Sequence, residues 1–136
     1  MNTLVVYYSY SGKTAVIAKE LAKTESADIV EIKDARRPSK LKAYTAGIIA
    51  SIKGKPWPIH PPGVDFAKYD RLILLAPIWA GNPPPPFNAL LLLLPDKKKV
   101  AVKMVSASGK SDCRDRIDNI IASAGCEMES FEDLKA

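Results

Sequence analysis

Leu4-Val5-Val6-Tyr7-Tyr8 is a near-continuous apolar run, rich in β-branched and aromatic residues, that stops at the polar cluster Ser9-Tyr10-Ser11-Gly12. A strand with no polar alternation has no face to offer water, so it belongs in a parallel sheet covered on both sides. Directly after Gly12 the period changes: Thr14, Ile17, Ala18 and Leu21 recur at helical spacing, with good helix formers between them through Lys23. A buried strand that hands over to a helix through one short loop puts the chain in the α/β class.

The alternation repeats. Further strands are expected over 28–33, near a sheet edge, and over 71–76 and 100–105, with a weak fifth over 126–131 that leaves only 132–136. Between them a helix is expected over 41–52, with Leu41, Tyr44, Ile48 and Ile52 on one side and Gly47 weakening it. The polyproline stretch Asn82-Pro83-Pro84-Pro85-Pro86 leads into a helix over 87–94, Pro86 being tolerated in its first turn. From Ser111, residues Cys113, Ile117, Ile120, Ile121 and Ala124 share a helical face, with Ser111 as the cap in front and Gly125 behind. Cys113 then points at the core as a small hydrophobe rather than a reactive thiol. Lys55 to Gly63 holds too many prolines for helix or central strand and reads as a surface segment. Lys103, inside the fourth strand, fits only if its amine reaches past the sheet end.

A chain of 136 residues makes a single domain, 1–136, large enough for a core without staples. The expected architecture is a three-layer α/β sandwich around a five-stranded parallel sheet, in strand order 2-1-3-4-5 with right-handed crossovers. In such sheets ligands bind outside the carboxyl ends of the strands, so the loops after the first, third and fourth strands carry the function.

Composition narrows the classes further. Cys113 and Cys126 form no CxxC pair and His60 is the only imidazole, which leaves a zinc site short of ligands; His60 is given no role. No apolar run reaches the ~20 residues of a membrane span, and Met1-Asn2-Thr3-Leu4 lacks a basic leader, so a cytoplasmic location is expected. Twenty Lys and Arg against 15 Asp and Glu give a net charge of +5, which suits a phosphate-bearing ligand or an acidic partner. No basic helix interleaved with aromatics points to nucleic acid, and Lys97-Lys98-Lys99 reads as a solvated turn.

Ser9, Tyr10, Ser11, Gly12, Lys13 and Thr14 open the first helix. Amides there have no helical acceptor and the helix dipole favours an anion, while hydroxyls and the Lys13 ammonium add donors. A capped helix end with nothing bound fits the same residues. Gly12-Lys13-Thr14 also suggests a nucleotide triphosphatase loop, but the glycine needed five residues before Gly12 is Tyr7, inside the strand. The second loop, Pro77, Ile78, Trp79, Ala80, Gly81 and Asn82, offers an indole able to stack on a flat heterocycle, worth ~0.5–1.5 kcal/mol beyond burial. Alone, Trp79 fits a loop plug equally well. Ser106, Ala107, Ser108 and Gly109 form the third loop and supply small residues, hydroxyls and free amides.

Tyr8-Ser9-Tyr10-Ser11-Gly12-Lys13-Thr14 resembles the (S/T)-x-(T/S)-G-x-T phosphate loop of the flavodoxin family, with Lys13 where Asn is common. Pro77-Ile78-Trp79-Ala80-Gly81 resembles that family's P-x-(W/Y)-x-G pattern. The resemblance covers most of residues 3 to 125 and implies a flavodoxin-like fold that binds FMN. The first loop would hold the phosphate, and Pro77 to Asn82 with Ser106 to Gly109 would hold the ring. It also implies that the Gly81 carbonyl turns toward the flavin. A second aromatic, common in the family's third loop, is missing, so one flavin face is open or covered by Trp57 or Tyr10.

What the resemblance implies is electron transfer through the flavin. FMN-dependent NAD(P)H or quinone oxidoreduction, and a flavin-free interaction domain, are the alternatives. Positive charge from Lys13 or Lys110 would make the reduced flavin anion less costly than in acidic members, and the redox partner is expected to be acidic. Too few residues follow Phe131 for the family's C-terminal helix, so that helix is expected to be absent. The sheet face it would leave bare is expected to be apolar and to pair with a second copy or another protein.

Overall fold

The computed structural model describes residues 2–136. Five strands form one sheet: β1 (Thr3–Tyr7), β2 (Asp28–Glu31), β3 (Arg71–Pro77), β4 (Lys99–Ser106) and β5 (Glu127–Lys135). All pairings are parallel and the order is β2-β1-β3-β4-β5, as the alternation predicts. The helical elements are α1 (Lys13–Thr24), α2 (Lys40–Lys42), a π-helical turn (Ala43–Gly47), α3 (Ile48–Lys53), a 3₁₀ turn (Phe66–Lys68), α4 (Pro85–Leu91) and α5 (Arg114–Ser123).

Because side chains alternate along a strand, β1 feeds two cores at once. Leu4 and Val6, followed by Tyr8, join Leu72, Leu74, Val102, Phe87 and Ile117 on one side of the sheet. Val5 and Tyr7 join Ile73, Leu75 and Ala101 beneath α1, whose Ala18 and Ala22 let the helix lie close. Each face is worth roughly 25 cal/mol per Å² of apolar surface removed from water, which is why the central strands carry almost no polar residues. Cys113 is fully buried in the first cluster, and burial pushes its thiol up, away from the reactive thiolate.

Several boundaries differ from the sequence reading, each for a local reason. The second strand stops at Glu31, because Ile32 is buried and the chain then turns to bridge Asp34 with Ile59. That bridge, with bonds from the Ala35 amide to Pro58 and from the His60 amide to Lys33, ties down the proline-rich segment. Helix α4 begins at Pro85 rather than Phe87, with prolines in positions whose amides would be unpaired anyway, and it ends at Leu91. Ser111 does not cap α5; its hydroxyl donates to Asp133 Oδ1 at 2.6 Å, and Cys113 occupies the cap position without a side-chain bond. The fifth strand is not weak: it runs to Lys135, with a register irregularity between Val100 and Ala101.

The largest departure concerns the helical stretch over 40–53. Its buried side is Ala43, Gly47, Ala50 and Ser51, whereas Leu41, Tyr44, Ile49 and Ile52 are exposed. Gly47 fixes this orientation: an added Cβ would stand 2.9 Å from Trp79 and 3.2 Å from Trp57, so only the small-residue side can approach the loops.

Among the described residues no helix covers β4 and β5 on the α1 side, as expected, but the surface there is not apolar. Arg71 bonds Glu129 through Nε at 2.8 Å and Nη2 at 2.6 Å, with Glu25 3.6 Å away, and Lys103 pairs with Glu132. Lys103 thus needs no route past the sheet end; a cross-strand carboxylate meets it on the face itself. At these positions the face is charged rather than apolar, with each cation paired to a carboxylate of a neighbouring strand or helix. Arg71→Ala should lower stability by about 1–2 kcal/mol, the range of a charge-assisted bond discounted for solvent, and urea unfolding in low and high salt should show the loss shrinking as salt rises.

Candidate functional site

The carboxyl ends of β1, β3 and β4 are held level by ladder bonds that continue past the strands. The Tyr8 amide donates to Leu75 O at 3.0 Å, and the Ile78 amide to Val105 O at 3.1 Å. The three loops that leave these ends are those singled out in the sequence.

In the first loop Gly12 adopts φ +101° and begins α1 without a side-chain cap. An added Cβ there meets nothing within 4 Å, so the space before the helix is open. Ser9 Oγ accepts the Gly12 amide at 3.1 Å, which closes the loop and leaves the hydroxyl proton free to donate. Ser11, Gly12 and Lys13 are exposed and Thr14 is buried. The amides of Ser11, Lys13 and Thr14 find no acceptor among the described residues. Free donors, a helix dipole and one ammonium are the components of a phosphate cradle.

Tyr10 turns toward the second loop and meets the Trp79 ring edge-on at 5.8 Å; Tyr8 meets the same indole at 6.4 Å. Trp79 and Asn82 exchange backbone bonds of 2.8 and 3.1 Å around Ala80 at φ +52° and Gly81 at φ +80°. Positive φ at both central residues is the type I′ arrangement, for which alanine is an unfavourable first residue. The Gly81 carbonyl accepts the Asp112 amide at 2.8 Å, linking the second loop to the third. Turning that carbonyl toward a ligand breaks this bond; the Ala80 carbonyl, held only by Asn82 Nδ2 at 3.0 Å, is the less committed oxygen of the turn.

The third loop is organised by its own hydroxyls. Ser106 Oγ accepts the Gly109 amide at 3.0 Å, Ser108 Oγ the Lys110 amide at 3.3 Å, and Ala107 is exposed. Gly109, at φ +71°, lies against Lys135, where a Cβ would come within 3.1 Å of the lysine side chain.

Beside Trp79 lies a cleft of about 590 Å³ lined by Tyr10, Ile78, Trp79 and Ala80 from the loops and by Lys40, Ala43, Tyr44 and Ile48 from the helical stretch. The volume is that of a site for a cofactor-sized ligand. Tyr10 belongs to it, but Trp57 lines a separate cavity with Lys42, whose ammonium stands 5.5 Å above its ring. Tyr44 is the further aromatic beside the cleft. Its spacing with Leu41 and Ile48 signalled an apolar side but not which way that side faces.

Sequence reasoning also missed the support under the first loop. Arg37 Nη2 donates to Tyr10 O at 2.7 Å while its guanidinium covers the Tyr10 ring at 4.4 Å. Tyr8 donates its hydroxyl to Asp34 Oδ2 at 2.7 Å. Nothing in the irregular segment 34–37 marks these residues as partners of the strand end. Burial pushes the Asp34 carboxyl above the usual carboxylate range, against the downward pull of the Tyr8 bond and of Arg37. Burial, with the Asp34 carboxylate beside it, raises Tyr8 as well.

Known structures share this architecture. A flavoprotein from Lactobacillus acidophilus NCFM, crystallised in complex with FMN, is 24% identical and superposes with a TM-score of 0.76 over 96% of this chain and 91% of its own. A flavodoxin of Streptococcus pneumoniae TIGR4 is 20% identical, with a TM-score of 0.61 over 100% of this chain and 87% of its own. Flavodoxin 2 from Bacillus cereus is 19% identical, with a TM-score of 0.55 over 99% and 86%. In sequence the chain matches no family model and no curated protein. The fold is flavodoxin-like.

Two outcomes follow from this geometry. Asp34 binds its proton more readily folded than unfolded, so the stability it contributes is complete below the ordinary carboxylate pKa of ~4 and is lost as pH rises through the higher folded value. Asp34→Asn, which still accepts the Tyr8 hydroxyl, should flatten that decline when melting temperature is followed against pH. Ala80→Asn should stabilise the chain by about 0.5–1 kcal/mol in urea unfolding, because asparagine tolerates the left-handed region that costs alanine ~1 kcal/mol.

Proposed function

We propose that this chain binds FMN across the three loops and passes electrons through it. The observation that carries the reading is the joining of an open anion cradle at Gly12 to an aromatic-walled cleft at Trp79, through Tyr10, in a fold whose known relatives include an FMN complex. The residues fit the cofactor at both ends. Ser9, Ser11, Gly12, Lys13 and Thr14 would hold the phosphate by amides, hydroxyls and one charge. Trp79, Ile78 and Tyr10 would border the ring, with the polar groups of Ser106 to Gly109 within the same loop cluster.

FMN, when bound, supplies the one- and two-electron chemistry. The chain's own part is to fix the ring against the Trp79 wall, exclude water from its apolar side and set the local charge. Lys13 and Lys40 bring positive charge to the two ends of the site. At ~10 Å and an effective dielectric near 20 each contributes on the order of 1–2 kcal/mol before screening, or tens of millivolts for one electron, in the direction of easier reduction. The redox partner would be acidic. The volume of the cleft lined by Trp79, Tyr44 and Ile48 supports a second reading, FMN-dependent oxidation of NAD(P)H or reduction of a quinone, in which a planar substrate would lie beside the ring.

Titrating the chain with FMN, followed by quenching of flavin fluorescence, should give a Kd of about 1 μM or tighter. Riboflavin, which lacks the phosphate, should bind at least about tenfold more weakly, and Lys13→Ala should narrow that difference by removing one charge-assisted contact. Trp79→Ala should weaken both ligands about tenfold. Absence of binding by FMN favours a flavin-free interaction domain, and NAD(P)H turnover with a quinone acceptor would select the enzyme over the carrier.

A further inference from the structure

The helical stretch from Lys40 to Lys53 carries its apolar residues on the wrong side for a globular core. Leu41 is 75% exposed, Tyr44 79%, and Ile49 and Ile52 55% each, while the packed side is Ala43, Gly47, Ala50 and Ser51. More than half of each of these side chains stands in solvent, and an exposed apolar patch of this kind marks a surface that meets something else.

Charge says what it meets. Between Ala35 and Val64 there are six Lys and Arg and no Asp or Glu, whereas the rest of the chain carries 14 basic and 15 acidic residues. The whole excess of positive charge therefore lies in and around this one stretch. The lysines are placed at both of its ends: Lys40 and Lys42 flank Leu41 at the start, and Lys53 and Lys55 follow Ile52.

We propose that this face seats the protein on an anionic lipid surface, with the helix lying in the plane of the headgroups. An apolar side flanked at both ends by lysines matches that boundary, where Leu41, Ile49 and Ile52 enter the acyl region and the ammonium groups meet lipid phosphates. Length agrees: 14 residues at 1.5 Å each reach about 21 Å, too short to cross a hydrocarbon core of about 30 Å but sufficient to lie along it. An acidic protein surface would engage the lysines equally well, but it gives no reason for Leu41, Ile49 and Ile52 to stand in water between them.

Sedimentation with vesicles tests this on the flavin-free chain, so its outcome stands apart from the FMN reading. Vesicles of equal parts phosphatidylcholine and phosphatidylserine should carry the protein down at least about tenfold more effectively than phosphatidylcholine alone, and added salt should release it. The combined variant K42A/K53A/K55A should weaken binding about a hundredfold, at about fivefold per lysine. L41S/I49S/I52S, which leaves the charge intact and alters only exposed positions, should abolish it while the melting temperature stays unchanged. Three results would overturn the proposal: no sedimentation with phosphatidylserine vesicles, serine variants that bind as well as the parent, or retention on immobilised polyglutamate that the serine variants keep in full, which would assign the face to an acidic protein.

Discussion

The parallel pairing of β1 on both of its edges is the constraint from which the rest of the molecule follows. Leu4 to Tyr7 face Asp28 to Glu31 on one side and Leu72 to Leu75 on the other. A strand buried on both faces and bonded along both edges cannot shift register without moving every side chain to the wrong core. Its carboxyl end is thereby fixed, and with it the start of α1, the place where Tyr8 and Tyr10 leave the sheet, and the level at which the loops after β3 and β4 can meet. A site at this end would depend on that immobility: its donors would be backbone amides and short hydroxyls, which have no reach and act only if the scaffold puts them in place.

Much of this was legible in the sequence because it rests on local signals. The two-sided apolar runs at Leu4 and Leu72, the change to helical period after Gly12, and the glycines at 12 and 81 each state a physical requirement within a few residues. What the sequence concealed depends on distant partners. Lys103 is unreadable until Glu132 stands opposite it, and the length of β5 depends on the ladder that β4 offers. Arg37 and Asp34 lie in a stretch without periodicity, and their roles arise only when the chain folds back under Tyr8 and Tyr10. The helix over 40–53 is the instructive failure. Its apolar spacing is genuine, but spacing identifies a side and not its direction; Gly47, with Trp57 just past the helix and Trp79 farther along the chain, determines which side packs.

The two ends of the polar ledger are also handled differently. On the sheet face beside α1, charges are placed opposite their counter-ions, so Arg71, Lys103, Glu129 and Glu132 form a self-contained surface. Around the loops the reverse holds: Lys13 is exposed, amides are left without acceptors, and Ala80 is held in a conformation that alanine disfavours. Surfaces that satisfy themselves are structural, whereas unsatisfied donors and stored backbone strain collect where a ligand would complete the structure.

The chain has two tryptophans, and both crowd the same glycine, Trp79 from one ring edge and Trp57 from another. Each indole also differs in its surroundings, Trp57 beneath an ammonium and Trp79 between two phenol rings. Any event that lifts or slides the helix at Gly47 must change the environment of both fluorophores together. The emission spectrum of the unlabelled chain is therefore a built-in gauge of helix position, available without a probe that would itself disturb the packing.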